Sequence, residues 1–274
     1  MTALSANVLS CSHCGLCAES CPWGLIDIPE DGWPQQVKSA AKSCISCGHC
    51  EAVCPTGALL LLDDPQLDRT KYPTQPAEID SAKLGSYLQM RRSIRRYKEE
   101  PVECVILEQI MNIVCYAPSG RNRQDVQWLI IHDTREVRRL TAMAVDWMRA
   151  TANSGNPLAA RYNLVGMVNA WEEGRDHICH NAPHLVIAHV CEENPVARTN
   201  AIIALAHLDI VAPSFGLGAC WGGIFMQAVN NWEPLRTALD HPAGHSAVHC
   251  LMLGYPAIRY QRPPKRNPPA VVWR

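Results

Sequence analysis

The sequence predicts an α+β protein in two parts: a small cysteine-rich segment, then a larger helix-dominated domain with about four strands. Three observations carry that expectation. One cysteine pattern is written twice between residues 11 and 54. Residues 63–80 carry three prolines and little apolar content. From Ser81 onward, segments of helical period alternate with short apolar runs. The expected boundaries are 1–62 for the first domain, 63–80 for an extended linker and 81–274 for the second domain. With 274 residues, 47% of them hydrophobic and 19% charged, the chain can bury cores for both.

In the first domain, Cys11, Cys14, Cys17 and Cys21 follow C-x2-C-x2-C-x3-C, and Pro22 comes next. Cys44, Cys47, Cys50 and Cys54 repeat the pattern 33 residues later, ahead of Pro55, with Gly15/Gly48 and Gly24/Gly57 in register. Three thiolates within seven residues wrap the chain around one side of a metal cluster, so the fourth ligand must come from elsewhere. Structural zinc takes cysteine pairs across a longer spacer, and a third cysteine three residues after each pair fits it poorly. Disulfides fit less well still. The pattern resembles bacterial-type ferredoxins with two [4Fe–4S] clusters, in which the fourth cysteine of each run ligates the other cube. That resemblance implies one cube on Cys11, Cys14, Cys17 and Cys54, and a second on Cys44, Cys47, Cys50 and Cys21. Between the runs, Leu25–Ile28 and Gln35–Val37 flank Asp31-Gly32 and read as a small hairpin.

In the second domain, helices are expected over 81–92, with Ser81 as N-cap, and over 104–116, 134–151, 158–173 and 198–215, with two short ones in 223–240. Strands are expected at Gln127–Ile131, His184–Val190 and Ala247–Leu253, and a fourth at Ala270–Trp273.

A formal net charge of −1 makes no case for nucleic acid or an anionic membrane. The N-terminus MTALSANVLS lacks a basic region and a long apolar core, so no signal peptide is expected; fourteen cysteines then point to a reducing cytoplasm. The six cysteines outside the repeat read mostly as buried small hydrophobes. The most membrane-like run, Ala201–Trp221, holds Asp209 near its centre, at a cost of about 2.5–3.5 kcal/mol in a bilayer, so a buried helix of a soluble domain is expected. His207 and Asp209 there read as satisfied buried polar groups. His241, His245 and His249 are spaced for a helical metal face, but Pro242 and Gly244 break that helix. His13 and His49 read as surface positions.

Four segments carry polar groups that a core would not need. Arg91-Arg92-Ser93-Ile94-Arg95-Arg96 suits a phosphate, whose oxygens match guanidinium donors, although a solvated basic helix end is also consistent with it. Ala117–Gln124 sets amide and hydroxyl donors in a turn. Gly216–Gly223 lets backbone approach a ligand but lacks the GxGxxG spacing. Arg262-Pro263-Pro264-Lys265-Arg266 is a stiff basic segment. Together R-x-S-x-R at 91–95, A-P-S-G-x-N-x-Q at 117–124, A-P-H at 182–184, G-L-G-A-C-W-G-G at 216–223, G-Y-P at 254–256 and P-P-K-R-N-P-P near the end resemble the FMN-binding nitroreductase family over roughly 85–274. One departure is Asp125-Val126 before Gln127-Trp128, where many relatives have Pro-Trp directly after the Gln.

The resemblance implies a ferredoxin–nitroreductase fusion: a mixed α+β fold, a homodimer, and FMN at the subunit interface. Arg91 and Ser93 with Lys265 or Arg266 would then hold the phosphate and ribityl chain, Arg92 would also bind the cofactor, and Arg95 would lie near flavin N1/O2. Ser119, Gly120 and Asn122 would contact the cofactor, and the Trp221, Gly222 and Gly223 backbone would approach N5/O4. No nucleophile is nominated, because the flavin carries the chemistry. The implied function is an oxidoreductase in which two [4Fe–4S] clusters relay single electrons to or from FMN, with a nitroaromatic, quinone or other conjugated small molecule as acceptor and ferredoxin or NAD(P)H as donor. A dehydrogenase passing electrons outward, and a non-enzymatic electron carrier or sensor, are the alternatives. The apolar 198–215 helix, with Ile202, Ile203, Leu205, Leu208, Ile210 and Val211 around it, suits burial in such a dimer. The tail from Arg262 is expected to cross to the partner and add a strand there.

Overall fold

The computed structural model describes residues 4–30, 32–61 and 77–274; most of the expected linker, and the Asp31 turn position, lie outside the described residues. The chain divides into two compact units. One comprises Met1–Glu78 with Arg121–Arg123, the other Ile79–Gly120 with Gln124–Arg274.

In the first unit, strand β1 (Leu4–Ala6) pairs antiparallel with β4 (Leu59–Leu61), Ser5 opposite Leu60. The expected hairpin is formed by β2 (Ile26–Asp27) and β3 (Gln35–Gln36), with Ile26 opposite Gln36. Short helices α1 (Leu16–Ser20), α2 (Ala40–Ser43) and α3 (His49–Ala52) carry or adjoin the cysteines. The sequence repeat is also a backbone repeat. His13 and Ser46 have φ of 54° and 50°, and Gly15 and Gly48, which start α1 and α3, have 77° and 73°. At the latter pair a residue without a Cβ adopts the left-handed conformation at no steric cost. The core is small, with Ile26, Leu59 and Leu61 packed on the Cys17 and Cys50 side chains. So few apolar groups leave cluster binding as a large source of folding energy.

The second unit is built on a four-stranded antiparallel sheet in the order β5 (Gln127–Ile131), β6 (His184–Cys191), β8 (His245–Gly254), β7 (Gly218–Trp221). Both faces of the central strands are buried. Leu185 and Ile187 of β6 enter one core, with α6 (Thr134–Asn153), α8 (Leu164–Glu172), α10 (Gly223–Asn231) and α11 (Glu233–Ala238). Val186, Ala188 and Val190 enter the other, with α5 (Cys104–Val114) and α9 (Ala197–Val211). Burial on both sides explains why β6 and β8 read as nearly continuous apolar runs. The result is an α+β fold of three layers.

Four local expectations are corrected. The fourth strand is Gly218–Trp221, inside the glycine-rich segment, whereas Ala270–Trp273 forms no strand and Val271, Val272 and Trp273 are exposed. A strand needs a pairing partner, and within this chain β8 offers its free edge to residues 218–221. The 158–173 helix is two, α7 (Pro157–Arg161) and α8, because Asn163 adopts φ 51° between them. The N-cap of α4 (Ser81–Met90) is Asp80, whose carboxylate accepts from the Lys83 amide at 2.8 Å. Of the six other cysteines, Cys179, Cys220 and Cys250 are buried but Cys104 and Cys115 are exposed. Asp209, His207 and Pro213 lie on or after α9, and no described helix is long and apolar enough to cross a membrane. On α9, Leu205 and Leu208 are buried, while Ile202 and Ile210 are each 40% exposed.

Candidate functional site

The two cysteine quartets separate in space as the crossed scheme requires. Cys11, Cys14, Cys17 and Cys54 line one cavity, and Cys21, Cys44, Cys47 and Cys50 line another. Helices α1 and α3 pack together, so that each run ends beside the other's cavity. None of the eight forms a disulfide, and among the described residues no group of three or more His, Cys, Asp or Glu is arranged to hold a single ion. Four thiols spread around a cavity suit a polynuclear cluster better than one tetrahedral ion. Burial pushes the Cys50 thiol up to about 11 and raises that of Cys17, so iron must displace those protons on binding. At Cys54 burial also raises the thiol, but hydrogen bonds from Thr56 and from backbone amides outweigh it and hold the value below the usual range. The Leu25 amide donates to Cys21 Sγ at 3.3 Å. Such N–H···S bonds tune cluster potential. His13 and His49 are exposed, as expected.

In the second unit the arginine-rich segment leaves α4 and is sewn into the sheet edge. The Ile94 amide donates to the Ala219 carbonyl, Lys98 to Tyr255 and Ala257 to Arg96, each at 2.9 Å. Three motifs far apart in sequence, at 91–96, 216–223 and 254–256, thereby meet. A cavity of about 550 Å3 opens beside them, lined by Tyr87, Arg91, Arg92, Leu217, Arg259 and Tyr260 among others. Arg92 stacks over the Tyr260 ring at 5.3 Å, and its Nη1 is buried without any hydrogen-bond partner. An unpaired buried guanidinium nitrogen is costly, and an anion in the cavity would satisfy it. This observation fits the phosphate of FMN.

Arg91 has a protein partner. Its Nη1 donates to Asp209 Oδ2 at 3.1 Å, and the Trp221 indole Nε1 donates to the same oxygen at 3.0 Å. Ser93 and Arg95 meet Cys220. Burial raises that thiol, while the Arg95 charge and hydrogen bonds from both side chains oppose the rise. Gly222 is buried and Gly223 exposed at the start of α10. A Cβ on Gly222 would meet Cys250 Sγ at 2.4 Å, so only glycine fits there, whereas the space above Gly223 is open.

The 117–124 segment is split. Ser119 Oγ accepts from the Gln124 amide at 3.0 Å, and the Gly120 amide donates to Asn200 Oδ1 at 3.0 Å. Asn200 in turn donates to Asp125 at 2.9 Å, and Asn194 also bonds that carboxylate. Asp125, the departure from the family pattern, thus anchors this loop. Arg121–Arg123 group with the first unit, where Asn122 Nδ2 donates to the Ser46 carbonyl at 2.9 Å. Lys265 and Arg266 are exposed and do not line the arginine cavity; Arg259 and Tyr260 occupy that role. Sequence reading missed Arg259 and Tyr260, although both closely follow the G-Y-P motif.

His184 of the A-P-H motif is fully buried; its Nε2 accepts from the Val102 amide at 2.8 Å and its Nδ1 bonds the His132 carbonyl at 2.9 Å. It staples strand to loop. The 241/245/249 spacing forms no common face. His249 packs edge-on against Trp221, while His241 and His245 approach His189, with Nδ1 of His189 and His245 3.1 Å apart.

A profile of the nitroreductase family matches residues 88–255, more than half of the chain, and a profile of 4Fe-4S dicluster domains matches residues 10–58. Among solved structures, the chain resembles a nitroreductase with bound FMN from Bacteroides fragilis at 22% identity and TM-score 0.54, covering 70% of this chain and 99% of that one. It also resembles a nitroreductase with bound FMN from Desulfitobacterium hafniense at 19% identity and TM-score 0.55, covering 68% and 94%. An FMN-dependent nitroreductase from Clostridium difficile aligns at 15% identity and TM-score 0.55, covering 71% and 100%. At these identities the likeness is one of fold. With the profile matches, the cysteine repeat and the gathered motifs, the chain belongs to the nitroreductase family and carries a 4Fe-4S dicluster domain ahead of the family's fold.

Proposed function

We propose that the protein is an FMN-dependent oxidoreductase whose two [4Fe–4S] clusters relay single electrons to or from the flavin, with a nitroaromatic, quinone or other conjugated acceptor as substrate. The observation that carries this reading is the buried, unpartnered Arg92 Nη1 in the arginine-lined cavity of a nitroreductase-family unit, on the same chain as two cysteine-lined cavities. FMN, when bound, exchanges electrons in pairs and as hydride, and iron–sulfur clusters exchange them singly.

The protein's residues supply binding and electrostatics. Arg92 offers an open donor to phosphate, and Arg91, fixed by Asp209, keeps further N–H groups free for the same anion. Arg95 adds positive charge beside the Ser93–Cys220 contact, where it would favour an anionic ring edge. The backbone at Trp221–Gly223 can approach a planar ring at Gly223, where the space is open, while Gly222 packs closely on Cys250 Sγ. Ser119 and Gly120 shape their loop through Gln124 and Asn200. Lys265 and Arg266, exposed on an extended tail, would complete the phosphate site in a homodimer, and the exposed Ile202 and Ile210 of α9 are consistent with burial there. In that dimer the tail would cross to the partner and add its strand. Cys11, Cys14, Cys17 and Cys54 would hold one cube and Cys21, Cys44, Cys47 and Cys50 the other.

Anaerobic stopped-flow spectroscopy, following flavin and cluster bands separately, tests the reading. Reduced ferredoxin or NAD(P)H should reduce both chromophores, and a nitroaromatic or quinone should reoxidise them over repeated turnovers. Flavin reduction that proceeds unchanged after cluster removal would exclude the relay.

A further inference from the structure

Asp209 stands where a carboxylate is disfavoured. It lies in the last turn of α9, where the helix dipole opposes negative charge, on a helix otherwise rich in Ala, Ile and Leu, and it is 7% exposed. A hydrophobic residue there would stabilise the fold at least as well as a buried ion pair. What the carboxylate does is join three elements. One oxygen takes Arg91 Nη1 from the end of α4 and Trp221 Nε1 from the end of β7, at 3.1 and 3.0 Å. One residue further on, the Ile210 carbonyl accepts from Tyr87 Oη at 2.5 Å, a second clamp between α4 and α9. The Trp221 ring is also held edge-on by His249 at 5.0 Å.

We propose that Asp209 is the positioning residue of the flavin site, fixing the Arg91 guanidinium at the phosphate end and the Trp221 indole at the ring end through a single carboxylate. This rests on the FMN reading above. Arg91 cannot swing away without abandoning a charge-assisted bond, and Trp221 cannot rotate without leaving an indole N–H unpaired. Both ends of the site are thereby preorganised before a ligand arrives, which reduces the ordering cost of binding.

The test uses the full-length protein with Asp209→Asn, Asp209→Glu, Arg91→Ala and the double variant Arg91→Ala/Asp209→Asn. In the flavin-free protein, the Trp221 indole N–H resonance, assigned by comparison with Trp221→Phe, should shift and exchange faster in Asp209→Asn. An unmoved indole resonance would overturn the proposal whether or not flavin binds. In FMN titrations Asp209→Asn should weaken affinity roughly 10- to 100-fold, in line with the loss of a group that orients ligating residues, and Asp209→Glu should recover part of it. The double variant should lose less than the product of the two single losses, because Asp209 acts partly through Arg91 and partly through Trp221. Losses that multiply in the double variant, or an unchanged FMN affinity in Asp209→Asn, would also sink the idea. A wild-type protein with no FMN affinity and a displaced indole resonance in Asp209→Asn would instead refute the flavin reading while sustaining the positioning role.

Discussion

The two units build their sites in opposite ways. The N-terminal unit draws eight thiols from 44 consecutive residues, and each half of its pattern brings its own backbone, with positive φ at His13 and Gly15 and again at Ser46 and Gly48. The C-terminal unit gathers Arg91, Arg92, Asp209, Trp221 and Tyr260 from positions up to 169 residues apart, through a sheet edge and one buried carboxylate. A local site tolerates a poor core because the metal supplies folding energy. A dispersed site depends on the packing of the whole domain.

The largest effect is expected in the first unit. Cys21→Ala should halve the iron and sulfide from about eight of each per chain, and the loss should fall on the cluster of Cys44, Cys47 and Cys50 rather than the cluster nearest in sequence. Selective loss of the Cys11/Cys14/Cys17 signal in resolved spectra would overturn the crossed assignment. Next, Arg92→Ala should weaken FMN binding about 10- to 100-fold, equivalent to about 1.5–3 kcal/mol for a charge-assisted bond, with iron content unchanged. Equal flavin occupancy in dilute wild-type and variant protein would show that this guanidinium does not face the phosphate.

Deleting residues 262–274 should weaken both dimerisation and FMN binding about tenfold, since Lys265 and Arg266 go with the tail. Sedimentation of a flavin-loaded dimer indistinguishable from full length would count against it. Gly222→Ala should destabilise the second unit by about 1–3 kcal/mol through overlap with Cys250 Sγ, and Cys250→Ala should relieve part of that in the double variant. The smallest effect concerns pH. Burial, with a smaller contribution from His132, holds His184 down to about 4. A base whose folded value is depressed contributes stability above its unfolded value near 6.5 and loses it as pH falls toward 4. The second unit should therefore melt a few degrees lower at pH 5.5 than at pH 7.5, with the His184 ring resonance still neutral at pH 5.5. A His184 titration midpoint near 6.5 would contradict this.

Legibility followed the same division. The cysteine quartets and the hairpin between them could be read directly, because ligand spacing is a short-range constraint and both runs carry it. In the second unit the central strands at 184–191 and 245–254 were legible, since burial on both faces leaves nearly continuous apolar runs, and the edge strand at 127–131 showed as a short apolar run. Gly218–Trp221 was not legible, because it is a strand only by virtue of the edge that β8 offers, and its composition is that of a loop. Asp209 could be recognised as a buried polar group that must be satisfied, but nothing in the sequence said by which groups.

Spacing, motif order and periodicity were enough to read an iron–sulfur domain, the family and the class of fold. Only the tertiary structure decided that Arg91 is engaged by Asp209 while Arg92 is left open, that Arg259 and Tyr260 rather than Lys265 and Arg266 line the cavity within one chain, and that Asp125 anchors the 117–124 loop through Asn200. Each is a choice among several arginines or polar groups of equal chemistry. Such choices are made by which side chains long-range packing brings within hydrogen-bond reach, and local sequence does not encode that distance.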